Sequence, residues 1–351
     1  MNKLKVHQRR RNICGLTMRP QFVFFCDASN ATGLGHYSRC KRIAIAIDAK
    51  LAGECDFVFI GNIRQDLCKD ILDRKWVYRP RDDHDWLPDY GAHSVAIVDS
   101  YTITNTELKN IGGCFSRTVF IDDFNRHDFS CTDLVINFRL GFDVTGYDVK
   151  RLCYGLRYFP ADNLMVRSRK LAEIQDRSTS EMPIGSILVY LSALTPSTKQ
   201  RAIDAIDHHL CGAKIEMIAG LDPLECEYTS TRNLLKTRSL ESSLSSLISE
   251  ADAIVCSGGL MKYEAGFCLT PNACINQTED QRIDTMILAE KNLTYDFGLQ
   301  ENLTEKPENF IRQMGEFLGE TVRQKQKAAM AQHYDTESTN NVCEEILGLL
   351  R

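Results

Sequence analysis

The sequence contains no apolar run close to the roughly 20 residues that a helix needs to cross a lipid bilayer, so no membrane span is predicted. An excess of positive charge is absent as well. With 42 basic and 47 acidic residues the net charge is -5, which gives no general attraction to nucleic acid or to an anionic membrane surface. What remains, 43% hydrophobic and 25% charged residues in a chain of 351, is typical of a soluble globular protein long enough for two domains.

Signatures of metal sites and of disulfide frameworks are missing too. The 14 cysteines are scattered along the chain, no C-x-x-C occurs, and no two histidines have the spacing of metal ligands. No segment near the start has the apolar core of a signal peptide. We therefore predict a cytoplasmic protein with reduced thiols, no metal and no other cofactor. The sequence does not fix the oligomeric state, and a monomer is favoured.

Residues 1–20 carry several basic side chains and no acidic one. We expect a disordered basic tail over this stretch. Because Met18 lies directly before the first predicted strand, an over-extended reading frame across residues 1–17 is an alternative. An arm that binds nucleic acid or lipid is a further alternative, although such tails are often only solvated.

Short apolar runs alternate with helical patterns along the chain, which is the signature of βαβ units and parallel sheets. A polar stretch rich in turn-forming residues, 177–185, interrupts the alternation near mid-chain and is the predicted linker. We therefore predict an α/β fold with two Rossmann-like domains, over 21–176 and 186–335, that face a common cleft. A last helix is expected within 336–351.

The predicted strands are mostly four to six residues long, rich in β-branched or aromatic side chains, and followed by polar turns. They lie at 22–26, 55–60, 75–78, 94–98, 118–121 and 134–136 in the first half and at 187–191, 214–219, 253–256 and 272–275 in the second. Helices are predicted at 37–51, 63–74, 105–111, 164–176, 198–208, 240–250, 261–267, 282–291, 307–318, 321–332 and 340–349. The stretch 143–157 shows no clear period.

A glycine loop that ends in a histidine, Thr32-Gly-Leu-Gly-His36, follows the first predicted strand. Gly33 and Gly35 allow a sharp turn and a close approach to a ligand, and the free amides at the start of the next helix favour an anion. His36 places a titratable imidazole there, as a reaction on a phosphorylated substrate needs. Ser38 replaces the third glycine of G-x-G-x-x-G, which weakens NAD binding as an explanation. The alternative is a tight turn with a capping histidine.

Two polar clusters, Asp99-Ser100-Tyr101 and Asp122-Asp123, each follow a predicted strand of the first half. Side chains just past the C-termini of parallel strands line the crevice of an open sheet. For the first cluster a helix cap by Asp99 or Ser100 is an equal alternative. For Asp122 and Asp123 a turn or cap is favoured over a metal site, because no third ligand at a suitable spacing is evident.

A second glycine loop, Ser257-Gly258-Gly259, lies between a predicted buried strand and a helix, with Glu264 five residues further on. Glycines open a helix start to a diphosphate, and a carboxylate roughly 7.5 Å along the helix can accept two hydrogen bonds from a ribose diol. The alternative is a turn followed by an exposed glutamate. The likeness of this second glycine loop to the loop of the first half favours a ligand site between the two loops.

Several strings within residues 20–300 match one protein family, and the first of them is quite specific. They are Asp27-Ala-Ser-x-x-x-Gly33-x-Gly35-His36-x-x-Arg39-Cys40, Asp99-x-Tyr101, Ile121-Asp-Asp123, Asp133-Leu-Val-Ile-Asn137, Tyr154-Gly-Leu-Arg-Tyr158, Gly258-Gly259-x-x-x-Tyr263-Glu264 and Glu279-Asp280-Gln281. In these strings the chain resembles the UDP-diacetamido-sugar hydrolases of pseudaminic acid biosynthesis and the related spore-coat polysaccharide proteins. That family is similar to the GT-B glycosyltransferases, which include the UDP-GlcNAc transferase of peptidoglycan synthesis.

The resemblance implies a GT-B-like fold and hydrolysis of a UDP-sugar without a metal. His36 would be the general base that activates water, water would attack C1 of the sugar, and UDP would leave with inversion. Tyr101, the second candidate catalytic residue, would line the sugar site. The residues that the resemblance implies as substrate contacts are Asp27, Gly33, Gly35, Arg39, Asn137, Ser257, Gly258, Gly259, Glu264 and Gln281, with Glu264 on the ribose, 257–259 on the diphosphate and Gln281 on the sugar.

Two features depart from the family pattern. The loop 190–195 lacks the Gly-Gly turn of the relatives, which restricts how closely the backbone can approach a ligand. Asp280 stands where the family tends to have asparagine, and a carboxylate cannot donate a hydrogen bond and repels a diphosphate. A different substrate or reduced activity is expected. Two alternatives therefore stay open: a GT-B glycosyltransferase with a sugar or lipid acceptor, and a degenerate protein that binds a UDP-sugar without turnover.

Overall fold

The computed structural model describes residues 19–29, 32–81, 93–141, 146–175, 183–192, 194–218, 227–238 and 244–351. Nearly all of the predicted basic tail, the last residue of the helix predicted at 164–176, and residues 177–182 of the predicted linker lie outside this part of the chain. Residue 193 of the loop 190–195 does so as well. The structural statements below concern the described residues.

The first half builds a sheet of parallel strands flanked by helices. Its strands are β1 (Gln21–Cys26), β2 (Asp56–Ile60), β3 (Val77–Arg79), β4 (Ser94–Asp99), β5 (Arg117–Ile121), β6 (Leu134–Asn137) and β7 (Leu152–Tyr154). The helices are α1 (Gly35–Lys50), α2 (Gln65–Asp73), α3 (Asn105–Cys114) and α4 (Asn163–Gln175), with a 3₁₀ turn at Leu156–Tyr158. The strand order is β3-β2-β1-β4-β5-β6-β7, so β1 and β4 are central and buried on both faces, which explains their unbroken apolar sequences.

The second half repeats the plan. Its strands are β8 (Ser186–Tyr190), β9 (Lys214–Ile218), β10 (Leu234–Arg238), β11 (Ala253–Ser257), β12 (Asn272–Asn276) and β13 (Tyr295–Leu299). Its helices are α5 (Pro196–His209), α6 (Ser245–Glu250), α7 (Met261–Phe267), α8 (Glu279–Glu290), α9 (Gln300–Glu305), α10 (Pro307–Leu318) and α11 (Glu320–His333). The strands are parallel in the order β10-β9-β8-β11-β12-β13. The predicted pair of Rossmann-like sheets is confirmed.

The last helix, α12 (Ser338–Gly348), returns to the first half. The Thr339 hydroxyl donates to the carbonyl of Ala161 at 2.6 Å, and Arg117 Nε donates to the carbonyl of Leu349 at 3.0 Å. Val342 on the same helix is fully buried. The chain therefore crosses between the halves a second time at its C-terminal end.

The strands that the sequence did not predict, β7, β10 and β13, all lie at the outer edge of a sheet. An edge strand has one neighbour and one partly solvated flank, so it needs no continuous apolar run. In β10 the exposed side chains of Leu234 and Lys236 alternate with partly buried ones. The predicted edge strand at 75–78 is shifted by about two residues from the observed β3 for the same reason.

Both halves reverse their strand order at one point, and these points define the cleft. In the first sheet β1 and β4 are neighbours, with Cys26 opposite Asp99. In the second sheet β8 and β11 are neighbours, with Tyr190 opposite Cys256. Ligands of open α/β sheets bind at such switch points, beyond the C-terminal ends of the strands. The two glycine loops follow β1 and β11 and therefore lie at these positions.

Candidate functional site

The first glycine loop (residues 32–36) leads directly into α1. Gly33 has φ +73°, a left-handed conformation that favours glycine, and its amide donates to the carbonyl of Ser29 at 2.8 Å. The helix begins at Gly35, and Leu34 at the N-cap supplies no side-chain acceptor for the first amides. A Cβ on Gly35 would lie 3.9 Å from Cβ of Leu260, so the loop faces the second half at van der Waals distance. These amides are suited to an anion held between the halves.

His36 is held against a buried carboxylate from the neighbouring central strand. Its Nδ1 lies 2.6 Å from Oδ1 of Asp99, and the two residues are 3% and 0% exposed. Arg39, one helical turn after His36, donates from Nη2 to the same Oδ1 at 2.6 Å and from Nε to Oδ2 at 2.9 Å. Asp99 is thus neither the helix cap nor a free carboxylate, because Thr104 caps α3. It orients the imidazole and the guanidinium together.

The shortest contact of the His36 imidazole favours one tautomer. The 2.6 Å from Nδ1 to Oδ1 of Asp99 is shorter than the 3.0 Å from Nδ1 to Nη2 of Arg39. An unprotonated Nδ1 would place a lone pair 2.6 Å from a carboxylate oxygen, so this contact favours the tautomer in which Nδ1 donates to Asp99. In a neutral imidazole Nε2 is then the acceptor. This is the arrangement in which a carboxylate positions a general base.

Asp123 belongs to the same buried group. Arg39 Nη1 donates to both of its oxygens, at 3.1 and 3.0 Å, and the hydroxyl of Tyr101 donates to Oδ2. Burial opposes ionisation of Asp123, but Arg39, Arg139 and the Tyr101 hydroxyl outweigh it and hold the pKa of the carboxyl at about 2. Burial and the neighbouring carboxylate raise the pKa of Tyr101. Asp123 therefore serves as the counter-ion of Arg39.

The ring of Tyr101 packs beside His36. Its ring meets the imidazole of His36 edge-on, with centroids 4.3 Å apart, and meets the ring of Phe124 at 5.4 Å. The residue is 55% exposed, in contrast to the buried His36 beneath it. Tyr101 thus packs against the imidazole and is itself open to solvent.

The second glycine loop (residues 257–259) carries neutral polar groups. Ser257 Oγ lies 3.3 Å from Oγ of Ser192, which links the loop to the end of β8. A Cβ on Gly258 would lie 2.2 Å from Oδ1 of Asn276, whereas a Cβ on Gly259 would meet nothing within 4 Å. Gly258 is therefore required for close packing, and Gly259 faces open space.

Glu264 does not have a free carboxylate. Arg42 of α1 donates from Nη2 to Oε1 of Glu264, across the boundary between the halves, and Glu264 is 8% exposed. The alternative of an exposed helical glutamate is therefore wrong. The predicted ribose contact stays a prediction, and any ribose at this carboxylate would have to share it with Arg42.

Gln281 and Asp280 lie at the start of α8. Gln281 Oε1 accepts from the amide of Gln277 at 2.9 Å, so its side chain closes the turn before the helix. Asp280, predicted to repel a diphosphate, is bound by Arg126 of the first half, whose Nη2 is 2.8 Å from both carboxylate oxygens. This ion pair neutralises much of the charge on which that prediction relied.

Two further predicted substrate residues are occupied by internal hydrogen bonds. Asp27 is 2% exposed and accepts from the hydroxyls of Ser100 at 2.8 Å and Thr102 at 3.0 Å. Asn137 is fully buried and donates from Nδ2 to the hydroxyl of Tyr147 at 2.8 Å. Both side chains tie loops together at the strand ends, so a role in binding substrate stays a prediction.

Three buried charged residues near the cleft, Arg139, Lys262 and Asp284, were not singled out from the sequence. Lys262 is 1% exposed and lies in a short helix whose residues are all buried. A charged residue inside a buried segment is unusual unless it is paired, and that was the available signal. Its partners come from distant parts of the chain, which the sequence pattern does not reveal.

No three His, Cys, Asp or Glu side chains in the described part of the chain converge as the ligands of a metal ion would. None of the described helices combines the length and the apolarity that crossing a membrane demands.

No family model matches this chain, and no curated protein matches it either. Solved structures do match. The glycotransferase of kitacinnamycin aligns with a TM-score of 0.64 and 11% identity over 95% of this chain and 100% of that one. MurG of Acinetobacter baumannii aligns with a TM-score of 0.61 and 13% identity over 94% of this chain and 100% of that one. UGT2 of Phytolacca americana aligns with a TM-score of 0.61 and 10% identity over 94% of this chain and 99% of that one. That structure is a complex with UDP-2-fluoro-glucose and pterostilbene.

These neighbours are GT-B glycosyltransferases, and the predicted GT-B-like fold is thereby confirmed. At such low identities the likeness concerns the fold alone. The resemblance to the hydrolase family therefore stays a prediction from the sequence strings.

Proposed function

We propose that this protein transfers a sugar from a UDP-sugar to an acceptor hydroxyl, with His36 as the general base and with inversion at C1. The buried His36–Asp99 pair carries the proposal, because it leaves Nε2 as a proton acceptor at the start of α1. The GT-B fold supports a donor held between the two halves. The complex of the Phytolacca americana enzyme with a UDP-sugar and an acceptor supports the nucleotide and the reaction type.

The proposed step conserves atoms and charge. The acceptor oxygen attacks C1 from the face opposite the diphosphate, its proton passes to Nε2 of His36, and the bond from C1 to the diphosphate oxygen breaks. Asp99 stabilises the imidazolium that forms. The backbone amides at the start of α1 and in the second glycine loop are suited to the charge that develops on the leaving UDP. No step depends on a group outside the chain and its substrates.

Hydrolysis of the UDP-sugar is the second candidate. One observation favours it: His36 is 3% exposed and Tyr101 covers it, so a nucleophile as small as water reaches Nε2 most easily. The sequence strings resemble those of UDP-sugar hydrolases. The two candidates share donor, base and stereochemistry, and they differ only in the nucleophile.

The test measures UDP release from a panel of UDP-HexNAc and UDP-diacetamido sugars, with and without sugar acceptors. His36→Ala should lower the rate by about 10² to 10⁴, which is the usual contribution of a general base. His208→Ala is the matched control, since His208 is exposed on α5 and remote from the predicted site. It should leave the rate unchanged.

Release that requires an acceptor supports the transferase, and equal release without any acceptor supports the hydrolase. A His36→Ala rate equal to that of wild type would contradict both. UDP binding without turnover of any donor would contradict both as well, and would favour the degenerate binding protein.

A further inference from the structure

A buried chain of charged side chains joins the two halves beneath the cleft. Arg139, just after β6, donates from Nε to Oδ1 of Asp284 on α8 at 2.9 Å. Lys262 in α7 lies with Nζ 2.7 Å from the other oxygen of Asp284. These three residues, called the bridging chain below, are 6%, 5% and 1% exposed in the order Arg139, Asp284, Lys262. They are buried charges that the proposed chemistry does not use.

In the second half, the bridging chain ends at the second glycine loop. Lys262 Nζ donates to the carbonyl of Gly258 at 2.7 Å and to Oγ1 of Thr285 at 3.0 Å. With Asp284 as the third acceptor, all three donors of the ammonium group are used. The loop predicted to hold the diphosphate is thus fixed from behind through its own backbone.

In the first half, the bridging chain ends at the residues that support the base. Arg139 Nη1 donates to the backbone carbonyl of Asp123 at 2.7 Å. The carboxylate of Asp123 pairs with Arg39, which in turn binds Asp99. The guanidinium of Arg139 also lies 4.6 Å from the ring centroid of Phe124, which contacts Tyr101. Two short paths therefore run from Arg139 to the surroundings of His36.

The two halves of the protein pack closely against each other next to the bridging chain. Gly141, shortly after Arg139, has φ +68°, and a Cβ there would lie 2.4 Å from Cγ2 of Ile287 on α8. Only a glycine allows both the backbone conformation and the contact. The segment that carries Arg139 is therefore seated directly on the helix that carries Asp284.

Stabilisation of the fold is by itself a weak reason to bury the charges of the bridging chain. Removing charges from water is costly, and a buried ion pair is often no more stabilising than apolar side chains of similar size. The charges of the bridging chain are instead balanced together with those of the residues that surround His36. The six residues concerned are Arg39, Arg139 and Lys262 against Asp99, Asp123 and Asp284. Such an arrangement specifies one geometry between the halves.

We propose that Arg139, Asp284 and Lys262 are positioning residues that set the distance between the His36 base and the second glycine loop. The proposal rests on the sugar-transfer function above. Small errors matter in such a site, since a displacement of about 1 Å can cost about 10²-fold in rate. The bridging chain touches neither the base nor, by its position behind the loop, the sugar.

The first test replaces Arg139, which is remote from the donor loop. Arg139→Gln should lower kcat about tenfold or more. The Kd for UDP, measured by titration calorimetry, should stay within about threefold of wild type because the loop residues are intact. Arg139→Lys keeps the charge and should recover part of kcat. Glu344→Gln is the control, since it breaks a surface pair between α12 and Lys50 of α1 within the first half, and its kcat should equal that of wild type.

Hydrogen exchange gives a readout that does not need turnover. Arg139→Gln should speed exchange of the amides at 257–264, in the other half of the protein, at a temperature where the variant is folded. The double variant Lys262→Met with Asp284→Asn removes one charge of each sign and therefore keeps the network balanced. It should remain folded and still lose kcat about tenfold or more.

Wild-type kcat in Arg139→Gln, or in the folded double variant, would overturn the positioning role. Unchanged exchange at 257–264 in Arg139→Gln would overturn it equally. If wild type turns over no UDP-sugar while the exchange at 257–264 still responds to Arg139, the proposed function fails and the mechanical link between the halves remains.

Discussion

The strand ends of the two halves differ in charge, although the two sheets share their strand order. Four carboxylates, those of Asp27, Asp99, Asp122 and Asp123, lie at the C-terminal ends of strands of the first sheet, and all are buried. At the ends of β11 and β12 in the second sheet stand neutral side chains, Ser257 and Asn276. The same topology therefore presents an acidic edge on one side of the cleft and a neutral edge on the other.

This difference separates the two tasks of the proposed site. A buried carboxylate next to an imidazole stabilises a proton on that ring, which a base requires. A neutral edge accepts an anionic diphosphate without repulsion. Two buried charges of the second half, Lys262 and Asp284, lie behind the loop and form an ion pair with each other. In the proposed reaction the first half would thus handle the proton, and the second half would hold the donor.

The largest expected effect is a loss of kcat caused by a substitution in the first half alone. Asp99→Asn should lower kcat by about 10² to 10⁴ because the imidazole loses the acceptor charge that fixes its tautomer. The UDP Kd should stay within about threefold of wild type, since the donor loop is unchanged. Ser257→Ala should show the opposite pattern, with a higher UDP Kd and a kcat at saturation close to wild type. Steady-state kinetics and calorimetry on both variants measure the two quantities.

Arg39 retains Asp123 as a partner in Asp99→Asn, so the fold should persist, and the melting temperature checks this. Equal losses of kcat in Asp99→Asn and Ser257→Ala would contradict the division of tasks between the halves.

A smaller effect is expected from the packing of the second glycine loop. In Gly258→Ala the new Cβ would lie 2.2 Å from Oδ1 of Asn276, so the backbone must shift. The Kd for UDP should rise about tenfold, which corresponds to about 1.4 kcal/mol. Gly113→Ala is the control, because a Cβ there meets nothing within 4 Å and the residue lies in α3. An unchanged Kd in Gly258→Ala would mean that this loop does not hold the nucleotide.

The fold was largely predictable from the sequence because the central strands are buried on both faces. Such strands need continuous apolar runs, and β1, β4 and β11 have them. The short edge strand β7 lies in a stretch that showed no period. Its three residues pair with β6 alone, so pairing geometry rather than apolar patterning specifies it.

The site was predictable only in part. The position of His36 followed from the glycine loop, since Gly33 and the start of α1 are local features. The partnership with Asp99 did not, because a residue after a strand can equally cap a helix. The bridging chain was missed altogether. Its residues are far apart in sequence, and only the seating of Gly141 on α8 brings Arg139 to Asp284.

The smallest effect concerns acid stability and compares one carboxylate from each half. The pKa of Asp123 is about 2 in the folded protein, and the unfolded chain takes up this proton near pH 4. Stability from Asp123 is therefore present above pH 4 and is lost as the pH falls towards 2. This loss amounts to about 2 kcal/mol. Urea unfolding at pH 5 and pH 3 should show a smaller acid loss in Asp123→Asn than in wild type.

Asp296 of β13 supplies the opposite case, because burial raises its pKa in the folded protein. Its folded form binds a proton more readily than the unfolded chain does, so it adds stability as the pH falls. Asp296→Asn should therefore make the acid loss steeper, whereas Asp123→Asn makes it shallower. The contrast has a physical cause: Asp123 faces the guanidinium of Arg39 directly, whereas at Asp296 burial outweighs the hydrogen bond from the side-chain amide of Asn276 at 2.9 Å. Parallel responses of the two variants would show that Arg39 does not hold Asp123 ionised.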